Sequence, residues 1–442
     1  MSTADLTMGV TPTTGRGRRV APPTVDPELA GLMPRSWKMP IIFSILTLVS
    51  LLGFCLTVGD GAKSGVLIKV GTTGLADIVL DLPSFPAIGV LTLVMVVLTG
   101  FAWAAFVGRS KLNTWFAIGF GAAFVVTFLL WAVSGNANPL QLTSLLSGAL
   151  FLSVPLIFGS MAGCVCEHVG VINVSIEGQL LGGAFLAAVV GSLTGNPWIG
   201  LVAAPVAGAL VGCLLAVFAV RYWVDHIIVG VVLNVLVTGL TSYLFSTVLS
   251  SSVAMSVPVR LPVWRIPLLA EIPVIGTVLF NQSVLTYIMY IVVIALQIML
   301  FRSRWGLRMR ACGEHPRAAD TVGIRVNRTR VVNTIIGGAI AGLGGAFFTL
   351  ANGLAFGKEM SAGRGYIALA AMILGGWKPK GALVAALLFG FADNLQNALG
   401  VVGVAVPSQF MLMAPYLVTI LAVAGVVGTV RAPAQEGTAY NG

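Results

Sequence analysis

Ionisable residues set within apolar runs are the first places to look for chemistry, because a charge buried in hydrocarbon needs a role or a partner. Two carboxylates stand out. Glu177 lies four residues after Asn173, a spacing that puts both on one face if the run is helical. Asp393 lies in the segment Phe389-Gly-Phe-Ala-Asp-Asn-Leu-Gln396. Here Phe389 and Phe391 can stack on a flat ring, while Asp393 and Asn394 can bond its polar edges. The same residues also fit packing: Glu177 hydrogen-bonded between helices, both phenylalanines facing lipid, and Asp393 paired with a neighbouring helix. Asn234, alone in its apolar run, reads as a helix-to-helix bond.

Neither cluster makes a catalytic set. The histidines are His168, His226 and His315, each near the end of an apolar run, and none has a Ser or Asp at triad spacing. Cys164 and Cys166 are two apart without further ligands, and they read as small packing residues rather than a metal site. No G-x-x-x-x-G-K-[ST] element occurs; the nearest fragment, Gly357-Lys358, lacks the preceding glycine and the following hydroxyl. The sequence therefore points to no chemistry on a substrate, no nucleotide hydrolysis and no cofactor on this chain.

The elements that carry these residues are membrane spans. The chain is 57% apolar and only 9% charged, with a mean hydropathy of +0.98. Soluble domains carry about 25% charged residues. This chain cannot cover a water-facing surface, so it reads as an all-α integral membrane protein, a polytopic helix bundle of about 10–12 spans including broken or re-entrant segments. Candidate spans are Pro40–Val58, Phe85–Val107, Asn113–Ser134, Leu142–Gly163, Val169–Leu193, Trp198–Val220, His226–Leu249, Val284–Phe301, Val331–Ala351, Tyr366–Gly376, Gly381–Leu399 and Phe410–Val430. Tyr366–Gly376 is too short to cross straight.

Residues 1–39 read as a disordered basic cytosolic tail, 40–140 as extra N-terminal spans, 141–431 as a core, and 432–442 as a cytosolic tail. With the N-terminus inside, 19 of the 25 Lys and Arg fall on the inner side, so both termini are expected in the cytosol. The net charge of +10 is spread between spans and forms no nucleic-acid surface. Gly208-xxx-Gly212 and Gly338-xxx-Gly342 are small-xxx-small patterns, expected to let helices approach closely.

The segment 302–330 holds eight arginines opposed only by Glu314 and Asp320. A topology-holding basic loop explains the charge but not the order within it. His315-Pro316 is a helix start, Ala318, Ala319 and Val322 follow at helical spacing, and Gly323 is a stop. A short cytosolic amphipathic helix is expected there.

This segment resembles a known element. Gly313-Glu314-His315-Pro316-Arg317-Ala318-Ala319 is similar to the G-E-N-P-x-A-A element of ribose-type, branched-chain amino-acid-type and nucleoside-type ABC importer permeases. It continues to Gly323 much like the wider E-A-A-x-x-x-G coupling motif, departing at Arg317 and His315. Glu167-His168-Val169-Gly170-Val171-Ile172-Asn173-Val174-Ser175-Ile176-Glu177-Gly178 is similar to a second signature of these permeases. Gly363–Ala370, Gly381–Asp393, Pro415–Ile420 and Gly437–Tyr440 look like the nucleoside branch. The resemblance covers roughly Gln141–Gly442 and leaves residues 1–140 without a functional reading.

The resemblance implies a multi-pass permease in a bacterial plasma membrane. It implies four partners: a separate ABC ATPase subunit holding ATP and Mg, a second related permease, an extracytoplasmic substrate-binding protein, and membrane lipid. It places ATPase coupling on Gly313, Glu314, Pro316, Arg317, Ala318, Ala319 and Gly323. Asn173, Glu177, Phe389, Phe391, Asp393 and Asn394 become candidates for a nucleoside path. A sugar or branched-chain amino-acid cargo, or an ion-coupled secondary transporter, are the alternatives.

Overall fold

The computed structural model describes residues 37–59, 61–68, 78–108, 110, 112–136, 138–249, 258–353, 355–403, 413 and 431–441. The expected span Phe410–Val430 and nearly all of the basic tail 1–39 lie outside them. Among the described residues, ten helices are long and apolar enough to cross a membrane.

Three spans precede the core. They are α1 (Lys38–Val49, extended by a wider turn to Cys55), α2 (Ser84–Val107) and α3 (Thr114–Val133). Asn113 starts α3 by accepting the Trp115 N–H. A small sheet, not anticipated from the sequence, joins them: β1 (Lys63–Ile68) pairs antiparallel with β2 (Ile78–Pro83) and parallel with β3 (Leu140–Gln141). The unit rests on the core where Leu129 and Val133 meet Phe391, Leu395 and Val402.

The core is built around α4 (Leu142–Glu167), the most deeply buried span. Around it lie α5 (Ile176–Thr194), α6 (Pro197–Ala216) and α7 (His226–Leu244). A short β4 (Val263–Arg265), α8 (Ile275–Phe280) and β5 (Asn281–Ser283) lead into α9 (Val284–Arg302). Then come α10 (Arg304–Glu314), α11 (Pro316–Thr321), α12 (Val326–Ala346), α13 (Arg364–Leu374) and α14 (Pro379–Val402).

The two small-xxx-small patterns meet each other. A methyl on Gly208 of α6 would collide with the backbone of Gly338 and Gly342 of α12, so the two helices cross with backbones in contact. Lipid supplies no hydrophobic drive for helix association, and close packing of this kind replaces it.

Three boundaries differ from the sequence reading. α5 begins at Ile176 rather than Val169, because Gly170 takes a left-handed φ of 87° and the chain turns before the helix starts. α12 begins at Val326 rather than Val331, so Arg328 and Arg330 belong to a helix, and Arg330 is buried. The segment 302–330 holds two helices, α10 and α11, rather than one.

Candidate functional site

The turn before α13 brings together Glu177, Arg364 and Asp393. Gly363 adopts a left-handed φ of 79° and hands the chain into α13 at Arg364. The N–H groups of that helix start that have no partner within the helix point at Glu177, in the first turn of α5. Its Oε1 accepts from Ser361 Oγ at 2.6 Å and from the Gly363 N–H at 2.8 Å; its Oε2 accepts from the Gly365 N–H at 2.6 Å. A carboxylate at a helix N-terminus satisfies orphan donors and complements the helix dipole. Any side chain on Gly365 would overlap the backbone of Glu177.

Arg364, between the two glycines, turns the other way. Its guanidinium pairs with Asp393 of α14 at 3.4 Å and lies 5.7 Å from the centre of the Phe348 ring. Both partners are partly open, with side-chain exposures of 26% and 36%. The tripeptide 363–365 thus holds both acidic residues singled out in the sequence. Arg364 is the member not singled out from the sequence; the signal that could have found it was an unmatched Asp393 in an apolar run.

Asn234 of α7 locks the same junction. Its Oδ1 accepts the Gly178 N–H at 2.8 Å, and its amide donates to Val174 O at 2.9 Å and to the Tyr366 hydroxyl at 3.1 Å. The helix-to-helix bond expected of Asn234 therefore ties α7 to α5 and α13. Tyr366 is 47% exposed.

Asn173 lies in the turn before α5, not on a helix face shared with Glu177. It is fully buried in a knot of amides: its Nδ2 donates to Gln179 Oε1 at 3.0 Å, and its Oδ1 accepts from Ser175 Oγ at 2.8 Å and Gln179 Nε2 at 3.2 Å. Phe389 is buried in the main core at 1% exposure, so it does not face lipid. Phe391 is half-buried and lines an apolar cavity of about 530 Å3 with Leu146, Leu150, Met289 and Tyr290. Asn394 donates to Leu145 O at 2.8 Å, across a gap that only Gly148 leaves open. Of the six path candidates, Asp393 is the one whose charge is both paired and open at its surface.

The second region is the basic segment. Pro316 opens α11, and Gly323, with φ of 85°, closes it by donating to Asp320 O at 2.8 Å. Pro316 and Ala319 face inward, whereas Arg317 and Ala318 are exposed. Gly313 abuts the His168 carbonyl so closely that no side chain fits. Burial holds the His168 imidazole below its usual range.

The tail 431–441 straps these pieces together. The Gln435 N–H donates to Gly313 O at 2.9 Å, the Gly437 N–H to Gly170 O at 3.0 Å, and the Ala434 N–H to Glu314 Oε2 at 3.3 Å. Arg330 donates its Nη1 to Thr438 O at 2.7 Å. The C-terminal tail is thus docked on the core, a feature the sequence does not signal because backbone groups make most of its bonds.

A bundle of apolar helices packed around glycine crossings defines a polytopic α-helical membrane protein. The profile described as "Branched-chain amino acid transport system / permease component" matches residues 145–424, and this chain belongs to that family. It is 36% identical over 308 residues to the guanosine ABC transporter permease protein NupQ of Bacillus subtilis, covering 68% of this chain and 97% of that protein. It is 38% identical over 314 residues to the nucleoside ABC transporter permease protein NupC of Lactococcus lactis, covering 69% and 98%. A putative glucose ABC transporter permease protein of Haloferax volcanii, TsgC13, is 32% identical over 57% of this chain and 76% of its own length. No solved structure gives a significant match. The match to the family begins after α1–α3, so those spans stand outside it.

Proposed function

We propose that this chain is the permease subunit of an ABC importer that carries nucleosides across a bacterial plasma membrane, with both termini in the cytosol. The observation that carries the proposal is the identity to two nucleoside-type permeases over nearly their whole lengths. The chemistry of the α13 start supports it. A nucleoside offers a flat base and a ribose rich in hydroxyls. Arg364 and Asp393 supply a donor and an acceptor that can exchange their mutual bond for bonds to the ligand.

On this reading α11 is the helix that docks into a separate ATPase, which holds ATP and Mg. Gly313, Glu314, Pro316 and Ala319 seat it, and Arg317, Ala318 and Gly323 lie on its open side. A second related permease and an extracytoplasmic substrate-binding protein complete the assembly. The glucose-type relative supports one second reading, a sugar cargo, which uses the same architecture.

The test is uptake of labelled nucleosides, ribose and branched-chain amino acids in a strain lacking this chain, with ATP depletion and ion-gradient collapse as separate arms. Loss of nucleoside uptake alone, sensitive to ATP depletion, is expected. Unchanged nucleoside uptake removes the cargo, and uptake that follows the ion gradient instead of ATP removes the ABC mechanism.

A further inference from the structure

Among the described residues there are two ion pairs, Arg265–Glu271 and Arg364–Asp393, and neither uses an arginine of the basic segment. Four of those arginines share one place. Arg304, Arg308, Arg325 and Arg328, all exposed, line a groove of about 1060 Å3 between α10 and the first turns of α12, floored at one end by Val322, Gly323 and Ile324 of the turn that closes α11. No carboxylate lines it. Glu314, the acid on α10, is occupied by the Ala434 N–H.

The groove is built, not merely a charged surface. Gly306, Met309, Cys312 and Gly313 form the buried face of α10, and Gly306 presses against the end of α9. The Trp305 indole donates to Asn333 Oδ1 of α12 at 2.9 Å, which fixes the groove's width. Its level is set by the spans on either side. α9 ends at Arg302 and α12 begins at Val326, and 19 residues of α9 span roughly 28 Å, about the thickness of the hydrocarbon core. The groove therefore opens where lipid headgroups lie. Trp305 and Leu307 leave apolar surface at its edge, 48% and 62% exposed.

Unpaired guanidinium groups offer forked donors that match phosphate oxygens, and basic pockets beside spans favour anionic headgroups. The apolar rim suits the first methylenes of acyl chains. We infer that the groove between α10 and α12 binds the phosphodiester headgroup of an acidic phospholipid. Free phosphate shares this chemistry but makes no use of the rim. The inference concerns headgroup level only, so it stands or falls independently of cargo and of which side faces the cytosol.

The test uses the assembled transporter, purified with its partner chains and reconstituted in nanodiscs of phosphatidylcholine with phosphatidylglycerol. Retained lipid is read by native mass spectrometry after a mild detergent wash. Wild type is expected to keep phosphatidylglycerol while phosphatidylcholine washes away. R304Q/R308Q/R325Q/R328Q is expected to lower that retention about tenfold or more, and R221Q, an exposed arginine outside the groove, to leave it unchanged. Arg→Lys at the four positions should restore part of it, since charge survives but the fork is lost.

Equal retention in the quadruple glutamine variant overturns the site. So does loss of ATPase from the purified complex with lipid retention intact, which makes the groove a protein-docking surface. Full displacement of the lipid by inorganic phosphate alone assigns the groove to a free anion and overturns the lipid. Should the quadruple variant fail to fold, R304Q/R308Q and R325Q/R328Q give the same readout separately.

Discussion

The Gly365 N–H donates to Glu177 Oε2 at 2.6 Å, joining the start of α13 to the start of α5 across 188 residues of sequence. The start of α13 would leave orphan donors in an apolar interior, and the Glu177 carboxylate closes those of Gly363 and Gly365, while the Gly178 N–H at the start of α5 is closed by Asn234. This makes Glu177 a fastener between helices as the structure stands.

Gly365→Ala should therefore destabilise the permease by roughly 1–3 kcal/mol through backbone overlap with Glu177. Glu177→Gln sets an amide NH2 against a backbone N–H, and about 1–3 kcal/mol is expected from the unsatisfied donor. Both effects are read as a lower Tm in detergent, with Gly239→Ala, which meets open space, as the control.

Arg364–Asp393 is half-open, so its contribution to stability is expected to stay below about 1 kcal/mol. R364Q and D393N should leave Tm nearly unchanged yet lower nucleoside uptake. The reversed pair R364D/D393R separates the roles. Recovered uptake means the pair only positions α13 against α14, and continued loss means that the ligand meets the two groups individually.

Gly323 ends α11 with a φ of 85°, which proline cannot adopt. Gly323→Pro, or deletion of 317–323, should leave the chain inserted and folded while transport stops. Membrane yield and labelled-substrate uptake from the same preparation check this; normal uptake in either variant removes the coupling role of α11.

Glu436 of the docked tail faces Glu167 and is buried enough that its carboxyl titrates above its ordinary range, although the hydrogen bond to Glu167 opposes the shift. A raised folded-state pKa stabilises docking fully below the unfolded value and loses that contribution as pH rises through the folded value. Hydrogen exchange over 433–440 should thus quicken with rising pH beyond the intrinsic rate, and E436Q should reduce the excess. Equal excess in both proteins contradicts the assignment.

Much of this architecture is legible in the residues. Apolar runs locate the spans, Pro316 and Gly323 bracket α11, and the Gly208 and Gly338 patterns mark helices that turn out to cross each other. The start of α5 is misread because Val169, Val171 and Ile172 keep the run apolar while the backbone has already turned. The clasp on Glu177 is hidden for a different reason. Its donors at 363 and 365 are backbone N–H groups, and glycines there look like packing residues. The β1–β2 pair is missed because short strands between spans leave no hydropathy signature.

One consequence of the tripeptide 363–365 concerns heredity rather than geometry. Glu177 and Asp393 do not bond each other, yet each is held by a neighbour in the same three residues. A change at either alters what the other holds in place. The two positions should then be epistatic: in a mutational scan of the whole chain, their double substitutions will depart from the sum of the singles, and tolerated variants will arise as co-selected pairs.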